Sequence, residues 1–365
     1  MFRLLAAAMV LVACGAAPVP NKGSAPDPGS DGGSPNPAPA GPPAFTVTDV
    51  GPATVTFIDD RGRLAGIVCP SDGSGCVGSI YTPDSGWAPA PMPSGAEETI
   101  PIGIDRNDTI AHNAMFPYGL RSSYLRAYVG DRPFPTAADH APQTTFLNAI
   151  HPITGHTVGY DEVLGGAFLF DGKMVTPIAV QPGKSFDSGG PSQAMAVNSR
   201  DQVVGWMRVG SSPGIYNDGH AHAFLWENGT ARDLGAHGFC ESLAVAVNDA
   251  GLVAGVIDIG DRCGEPQLFL WDGQMHVLGC AEGGIDCWAF GMNARGDVVG
   301  NALSSVPGER GFLYRDGRFY WLDELTDAKG WTFEYPQAIN DAGRITGFGH
   351  VSGAQGGHSF VLTPR

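Results

Sequence analysis

One short line recurs along this chain: an apolar strand, then Asn or Asp, two residues, often Gly, three residues, and Gly. The clear copies are AVNSRDQVVG (196–205), AVNDAGLVAG (246–255), GMNARGDVVG (291–300) and AINDAGRITG (338–347). Weaker copies are FIDDRGRLAG (57–66), GIDRNDTIAH (103–112) and AIHPITGHTVG (149–159), the last one residue longer. The residue that opens each turn is therefore Asp59, Asp105, His151, Asn198, Asn248, Asn293 and Asn340, at intervals of 46, 46, 47, 50, 45 and 47 residues. Seven units of near-constant period are too small to enclose separate cores, so they must stack on one another.

Each unit divides into four strand-sized pieces. In the fourth copy AMAV (194–197) is an apolar run, NSRD turns, and QVVGW (202–206) returns. HAHAFLW (220–226) then alternates with Phe and Trp on one face, and TARDLG (230–235) completes the set after a short turn. An Asn or Asp side chain can bond the backbone two residues on, which gives N-D-A-G a mechanism as a turn. The second Gly, at 205, 255, 300 and 347, falls inside a strand, where it makes room for an aromatic ring or a neighbouring backbone. The pairs Phe168/Phe170, Phe224/Trp226, Phe269/Trp271 and Phe312/Tyr314 suit faces buried between sheets.

Four strands per unit and seven units predict an all-β chain, a seven-bladed β-propeller. The rival is an open solenoid. The last copy stops after its third strand, HSFVLT (358–363), and the missing piece stands at the front as FTVTDVG (45–51), similar in type to TARDLG. A ring needs its first and last segments to share a blade, so the last blade is expected to be closed by the N-terminal strand, which also hides both sheet edges.

Composition agrees. Gly makes up 53 of 365 residues, charged residues are 16% and hydrophobic ones 43%, which excludes a helical bundle and global disorder. A net charge of −16 excludes a sequence-independent grip on nucleic acid. Residues 1–13 read as a signal peptide: Arg3 is followed by an apolar run too short to span a bilayer. Leu11-Val12-Ala13-Cys14 resembles the lipobox of bacterial lipoproteins. That resemblance implies lipidation of Cys14 and anchoring by several acyl chains. Gly15, in place of Asp, points to the outer membrane as its address. Residues 14–43 form the lipidated Cys and a Pro/Gly-rich linker with a span of about 30 Å. The propeller occupies 44–365.

The line A-x-x-N-D-x-G-x-x-x-G, followed by H-A-F-L-W and D-L-G, resembles the HAF-repeat family of bacterial extracellular proteins, and LDELTDAKGWTFEYPQAINDAGRITGFG is similar to that family's closing repeat. The resemblance covers 45–365. Copies one and two depart from it, with Tyr81 and Tyr128 where the motif Phe would fall. The resemblance implies an exported repeat protein and supplies no catalytic residues.

Cys14 apart, six cysteines remain: Cys69, Cys76, Cys240, Cys263, Cys280 and Cys287. Outside a reducing cytosol they imply up to three disulfides, with fifteen formal connectivities. All six fall in loops on one face of an up-and-down blade, and strand order favours Cys69–Cys76, Cys240–Cys263 and Cys280–Cys287. The absence of C-x-x-C argues against zinc.

The same strand order names a working face. Turns between strands one and two, and three and four, are short and alike, whereas the connections opposite are long and varied, as in binding scaffolds. Candidate contacts there are Tyr118, Tyr160, Asp161, Tyr216, Asp218, His220 and Trp331. No motif calls for a metal, a cofactor or a catalytic residue. Gly210-Ser211-Ser212-Pro213-Gly214 lacks the strand-to-helix turn of a nucleophile elbow, and Arg295-Gly296-Asp297 is the repeat's own turn. The expectation is a monomeric, membrane-tethered, non-catalytic binding or adhesion module for a cell-envelope glycan or protein, with no nucleic-acid partner. The alternatives are an envelope-complex scaffold and a carbohydrate-active hydrolase or lyase. The enzyme would need two carboxyls roughly 5–10 Å apart at the propeller mouth, from among Asp161, Glu162, Asp187, Asp218 and Glu241.

Overall fold

A computed structural model describes residues 44–69, 75–118, 122–135, 144–179, 192–209, 220–236, 240–259, 264–304, 308–354 and 356–365. The leader, Cys14 and the linker lie outside the described residues. Seven four-stranded antiparallel sheets form a seven-bladed β-propeller. Blade one holds β2 (Ala53–Ile58), β3 (Leu64–Val68), β4 (Val77–Thr82) and β5 (Gly86–Pro89). Blade two holds β6 (Glu98–Ile104), β7 (Ile110–Tyr118), β8 (Ser122–Val129) and β9 (Arg132–Pro133). Blade three holds β10 (Thr145–Ile150), β11 (Thr157–Asp161), β12 (Gly166–Phe170) and β13 (Val175–Pro177). Blade four holds β14 (Ser192–Val197), β15 (Val203–Val209), β16 (His220–Glu227) and β17 (Thr230–Gly235). Blade five holds β18 (Ser242–Val247), β19 (Val253–Ile259), β20 (Glu265–Trp271) and β21 (Met275–Gly279). Blade six holds β22 (Gly284–Met292), β23 (Val298–Ser304), β24 (Glu309–Arg315) and β25 (Arg318–Trp321). Blade seven takes β26 (Trp331–Ile339), β27 (Ile345–Val351) and β28 (His358–Pro364) from the end of the chain and β1 (Phe45–Gly51) from its front.

The closing strand pairs Phe45 with Pro364 and Asp49 with Phe360. It repeats a device of blade four. His358 Nδ1 lies 2.9 Å from Asp49, as His222 Nδ1 lies 2.9 Å from Asp233. In both blades the glycine two residues after the Asp returns its N–H to that carboxylate. The H-A-F and D-L-G halves of the repeat are thus a latch between strands three and four, and in blade seven the latch fastens the two ends of the chain.

Period-two alternation sends successive residues to opposite neighbours. Val203 and Phe224 pack on blade three, whereas Val204 and Leu225 pack on blade five. Phe168, Phe224, Phe269, Phe312 and Phe360 are fully buried. Each faces the strand-two glycine across the ladder, as Phe224 faces Gly205. Strand one of every blade carries a bulge at the same place. In six blades the bulged strand's carbonyl faces that glycine. A Cβ at Gly205 would meet the Gln193 carbonyl at 1.9 Å, and one at Gly300 would meet both the Trp288 carbonyl at 1.9 Å and the Phe312 ring at 2.8 Å. Blade one corrects the alignment of its aromatics: Ser79 faces Gly66, and Tyr81 stands across from Leu64, where Trp226 stands across from Val203 in blade four.

The turn-opening Asn does two jobs. Its Oδ1 accepts backbone N–H groups two and four residues on, as Asn248 does from Ala250 and Leu252. Its Nδ2 crosses to the next blade's turn. Asn198 donates to Asn248 O at 2.9 Å, Asn248 to Ala294 O at 3.2 Å, Asn293 to Asn340 O at 3.3 Å and Asn340 to Asp59 O at 2.8 Å. Asp59 has no amide, and Arg63 replaces it: the guanidinium holds Asp59 at 2.7 Å and reaches Asp105 O at 2.9 Å. Arg106 N donates to Pro152 O, and His156 meets Asp201 at 2.6 Å, which completes all seven junctions. The Asp after the key Asn has a use too: Asp249 accepts from Ser199 N and Asp341 from Ala294 N, each in the preceding blade.

His151 departs from this scheme. Its Nδ1 accepts from Ile153 N and Thr154 N, so the ring proton sits on Nε2, which lies 4.0 Å from Asp249. Burial pushes its pKa down, against the pull of Asp249. An unfolded histidine titrates near about 6.5, so the folded form binds fewer protons below that pH. The contribution of His151 is full above about pH 6.5 and is lost as pH falls below it.

Two substitution series check the double role. In chemical denaturation Asn248→Asp, which keeps the acceptor and deletes the donor, should cost about 1 kcal/mol, and Asn248→Ala about 2–3 kcal/mol. No cost for Asn248→Asp would deny the crossing bond, and equal costs for the two variants would deny the acceptor role. His151→Asn should flatten the fall in stability between about pH 6.5 and 5; an unchanged acid limb would contradict the tautomer deduced here.

Candidate functional site

Strand direction sorts the loops into two faces. All the turns laced above lie on one face, with Ala44 and the start of β1 beside them. The opposite face carries the connections between strands two and three and from each blade to the next. Every sequence-derived candidate that the structure describes sits at this loop face. They do not converge: Tyr118 is on blade two, Tyr160 and Asp161 on blade three, His220 on blade four and Trp331 on blade seven. Tyr216, Asp218, Asp187 and Cys263 lie outside the described residues.

Tyr118 is 53% exposed at the end of β7 and can meet a partner. Tyr160 is half-buried against the Phe146 ring, with centroids 5.5 Å apart. Trp331 opens β26 and stacks on Phe333, with 3° between the planes. Asp161 is no surface contact. It is fully buried, accepts the Thr145 hydroxyl, and holds Leu164 N at 2.7 Å. Its carboxylate builds the turn after β11, a job invisible without the strand-one partner Thr145.

The structure brings together carboxylates that no spacing in the chain selects. At the junction of blades six and seven, Glu309 at the start of β24 takes Asn301 Nδ2 at 3.0 Å and the Tyr335 hydroxyl. Partial burial and nearby Glu334 push its pKa up, with Tyr335 and Asn301 opposing. Burial and Glu309 push the Tyr335 phenol up in turn. Glu334 is the bulged residue of β26, and it binds His350 Nδ1 at 2.9 Å and the Thr332 hydroxyl at 3.2 Å. Here one carboxyl is biased toward its protonated form beside a second one paired with imidazole.

A further acidic group lies between blades five and six. Asp258 is pushed up by burial, then by Glu241 and Asp286; Asp286 is pushed up by burial, then by Glu265. The wide bulge of β22 between Ile285 and Trp288 presents Asp286, and Cys287 within that bulge is bridged to Cys280. Cys69 and Cys76 are bridged across the β3–β4 connection. Cys240 is disulfide-bonded as well.

Comparison with known proteins adds the fold. No protein-family profile matches the chain, and no curated protein does either. Among solved structures, the β-propeller domain of the Trilobed protease from Pyrococcus furiosus, described as having an open velcro topology, superposes with a TM-score of 0.53 at 11% identity. The match covers 86% of this chain and 97% of that one. YCF48 bound to D1 peptide superposes with a TM-score of 0.49 at 10% identity, over 90% and 99% of the two chains. Porphyromonas gingivalis dipeptidyl peptidase 4 gives 0.46 at 9% identity, over 83% and 50%. At these identities the likeness shows a β-propeller distantly related to other propellers, and no more.

Carboxyl-resolved NMR titration tests the junction site. Glu309 should titrate above the usual glutamate range, and its midpoint should fall in Glu334→Gln. A Glu309 midpoint that does not respond to Glu334 would dissolve the pair.

Proposed function

We propose that this chain is an exported lipoprotein of the HAF-repeat type, tethered to the outer membrane through Cys14, whose loop face binds a cell-envelope glycan or protein without chemistry. The observation that carries the reading is the contrast between the two faces. On the short-turn face the Asn, Asp, Arg and His side chains of the repeat are used up in holding the blades together. On the loop face Glu241, Asp258, Asp286, Glu309 and Glu334 stand close enough to raise one another's or their neighbours' pKa, an arrangement that does not favour folding and that suits contact with a partner. Carboxylates accept hydrogen bonds from hydroxyl and cationic groups and repel polyanions, which favours a neutral glycan or a basic protein surface.

Glu309 and Glu334 favour a second reading, a carbohydrate-active hydrolase or lyase, since an acid-biased carboxyl with a second carboxyl nearby is the kind of pairing glycoside hydrolysis uses.

Incubating the purified protein with a panel of envelope glycans, and scoring both retention and chain cleavage, separates the two. Retention without new chain ends is expected. New reducing or unsaturated ends that disappear in Glu309→Gln would replace the first reading with the second, and neither retention nor cleavage would remove both for glycans. Mass spectrometry of the amino-terminal peptide from membranes should show an acylated Cys14; an unmodified thiol there would refute the tether.

A further inference from the structure

Three blades end the loop-face side of strands one and two in polar residues. Three residues after the strand-two glycine stand Glu162 beside Thr144 in blade three, Asp258 beside Glu241 in blade five and His350 beside Thr332 in blade seven. Blade six places Leu303 beside Ile285 at the same point. Leu303 is 42% exposed and Ile285 is 53% exposed. A single exposed apolar side chain is ordinary. Two that stand directly across a ladder form one patch, and leaving it in water is unfavourable.

The patch has a charged end. Leu303 pairs with Glu309 on its other side, so Ile285, Leu303 and Glu309 form one row across β22, β23 and β24. The row shares its face with Val299 and Leu313, which pack on blade seven. Glu309 receives Asn301 Nδ2 and the Tyr335 hydroxyl, and a carboxylate offers about four acceptor sites. Arg310, the next residue, points to the opposite face and is engaged by Asp323 and Glu324. The row is therefore apolar on two strands and acidic on the third, within a chain of net charge −16.

We propose that this row docks an extended segment of a partner protein that carries an aliphatic residue and, two positions on, a Lys or Arg. Neighbouring strands lie about 4.8 Å apart, so the middle of the Ile285 and Leu303 pair is about 7 Å from Glu309. Side chains two positions apart on an extended segment share one face and are separated by nearly that distance, about 6.7 Å. The aliphatic residue covers Ile285 and Leu303. The stem of the basic residue runs over Leu303, and its charged head reaches Glu309, with Glu334 near enough to add to the attraction. A second copy of this chain is disfavoured, because it would bring two acidic surfaces together. The proposal rests on the reading of the loop face as a binding face and names the partner of its blade-six edge.

The test uses the full chain with ¹³C-labelled Ile and Leu methyl groups, titrated with short peptides of Ser and Thr. The parent peptide carries Leu and, two positions on, Arg. Its controls exchange Arg for Glu, exchange Leu for Ser, or move Arg to the adjacent position. The parent should shift the Ile285 and Leu303 methyl resonances saturably and bind about tenfold more tightly than each control. Leu303→Ser, at an exposed site where folding is not at stake, should weaken it about tenfold when followed at Ile285. Glu309→Gln should weaken it by a similar factor and should not weaken the peptide in which Glu replaces Arg. The proposal is overturned if the parent peptide does not saturate, if a control matches it, or if either variant binds it undiminished. Self-association of the chain that Leu303→Ser abolishes would overturn it in favour of a second copy. Glycan retention that survives Leu303→Ser while no peptide binds would overturn it and leave the loop-face reading in place, whereas neither peptide binding nor glycan retention would remove both.

Discussion

The side-chain amide of the turn-opening asparagine is the contact on which the ring depends. Apolar clusters between blades supply cohesion, but cohesion has no direction and tolerates slippage. The amide has direction. Its oxygen fixes the turn of its own blade and its nitrogen fixes the angle to the next, so one buried group sets both local and inter-blade geometry. Where the chain departs from Asn it supplies another donor at the same junction: Arg63 beside Asp59, the Arg106 amide after Asp105, and His156 after His151. The seventh junction uses Asn340 and joins residues 281 positions apart, which makes a closed ring of it.

A closed ring divides its surface. One end is committed to structure, because the lacing uses the polar atoms that its turns present. The bulge of strand one and the glycine facing it belong to the same scheme, since they let the innermost strand bend and press against strand two. The other end is free to vary: its connections differ in length and carry the disulfides. Cys280–Cys287 shows the link between them, for it bridges the very bulge that presents Asp286.

Much of this was legible in the chain. The period, the four strands per unit and the offset of the closing strand follow from a pattern that repeats seven times, and the kinship of FTVTDVG with TARDLG was visible in the Asp and Gly that now form the same latch. The acceptor role of Asn248 was legible because it is local; its donor role was not, because its partner comes 46 residues later. Asp161 looked like a loop residue because its partner Thr145 lies on another strand. Glu309 and Glu334 escaped notice for a similar reason: they come from different blades, and neither belongs to the repeat. His112 was visible at the glycine position all along, and its stacking on Tyr128 was not, because that partner lies on the next strand.

Residue-resolved hydrogen exchange on the full chain tests the closed ring most directly. If β1 completes blade seven, the amides of Thr46 to Asp49 that bond to β28 exchange in the slow class shared with the inner strands, and they lose protection together with β28 as denaturant is raised. Exchange of those amides at the rate of an unstructured terminus, with β28 unaffected, would contradict the closed ring and everything deduced about its two faces.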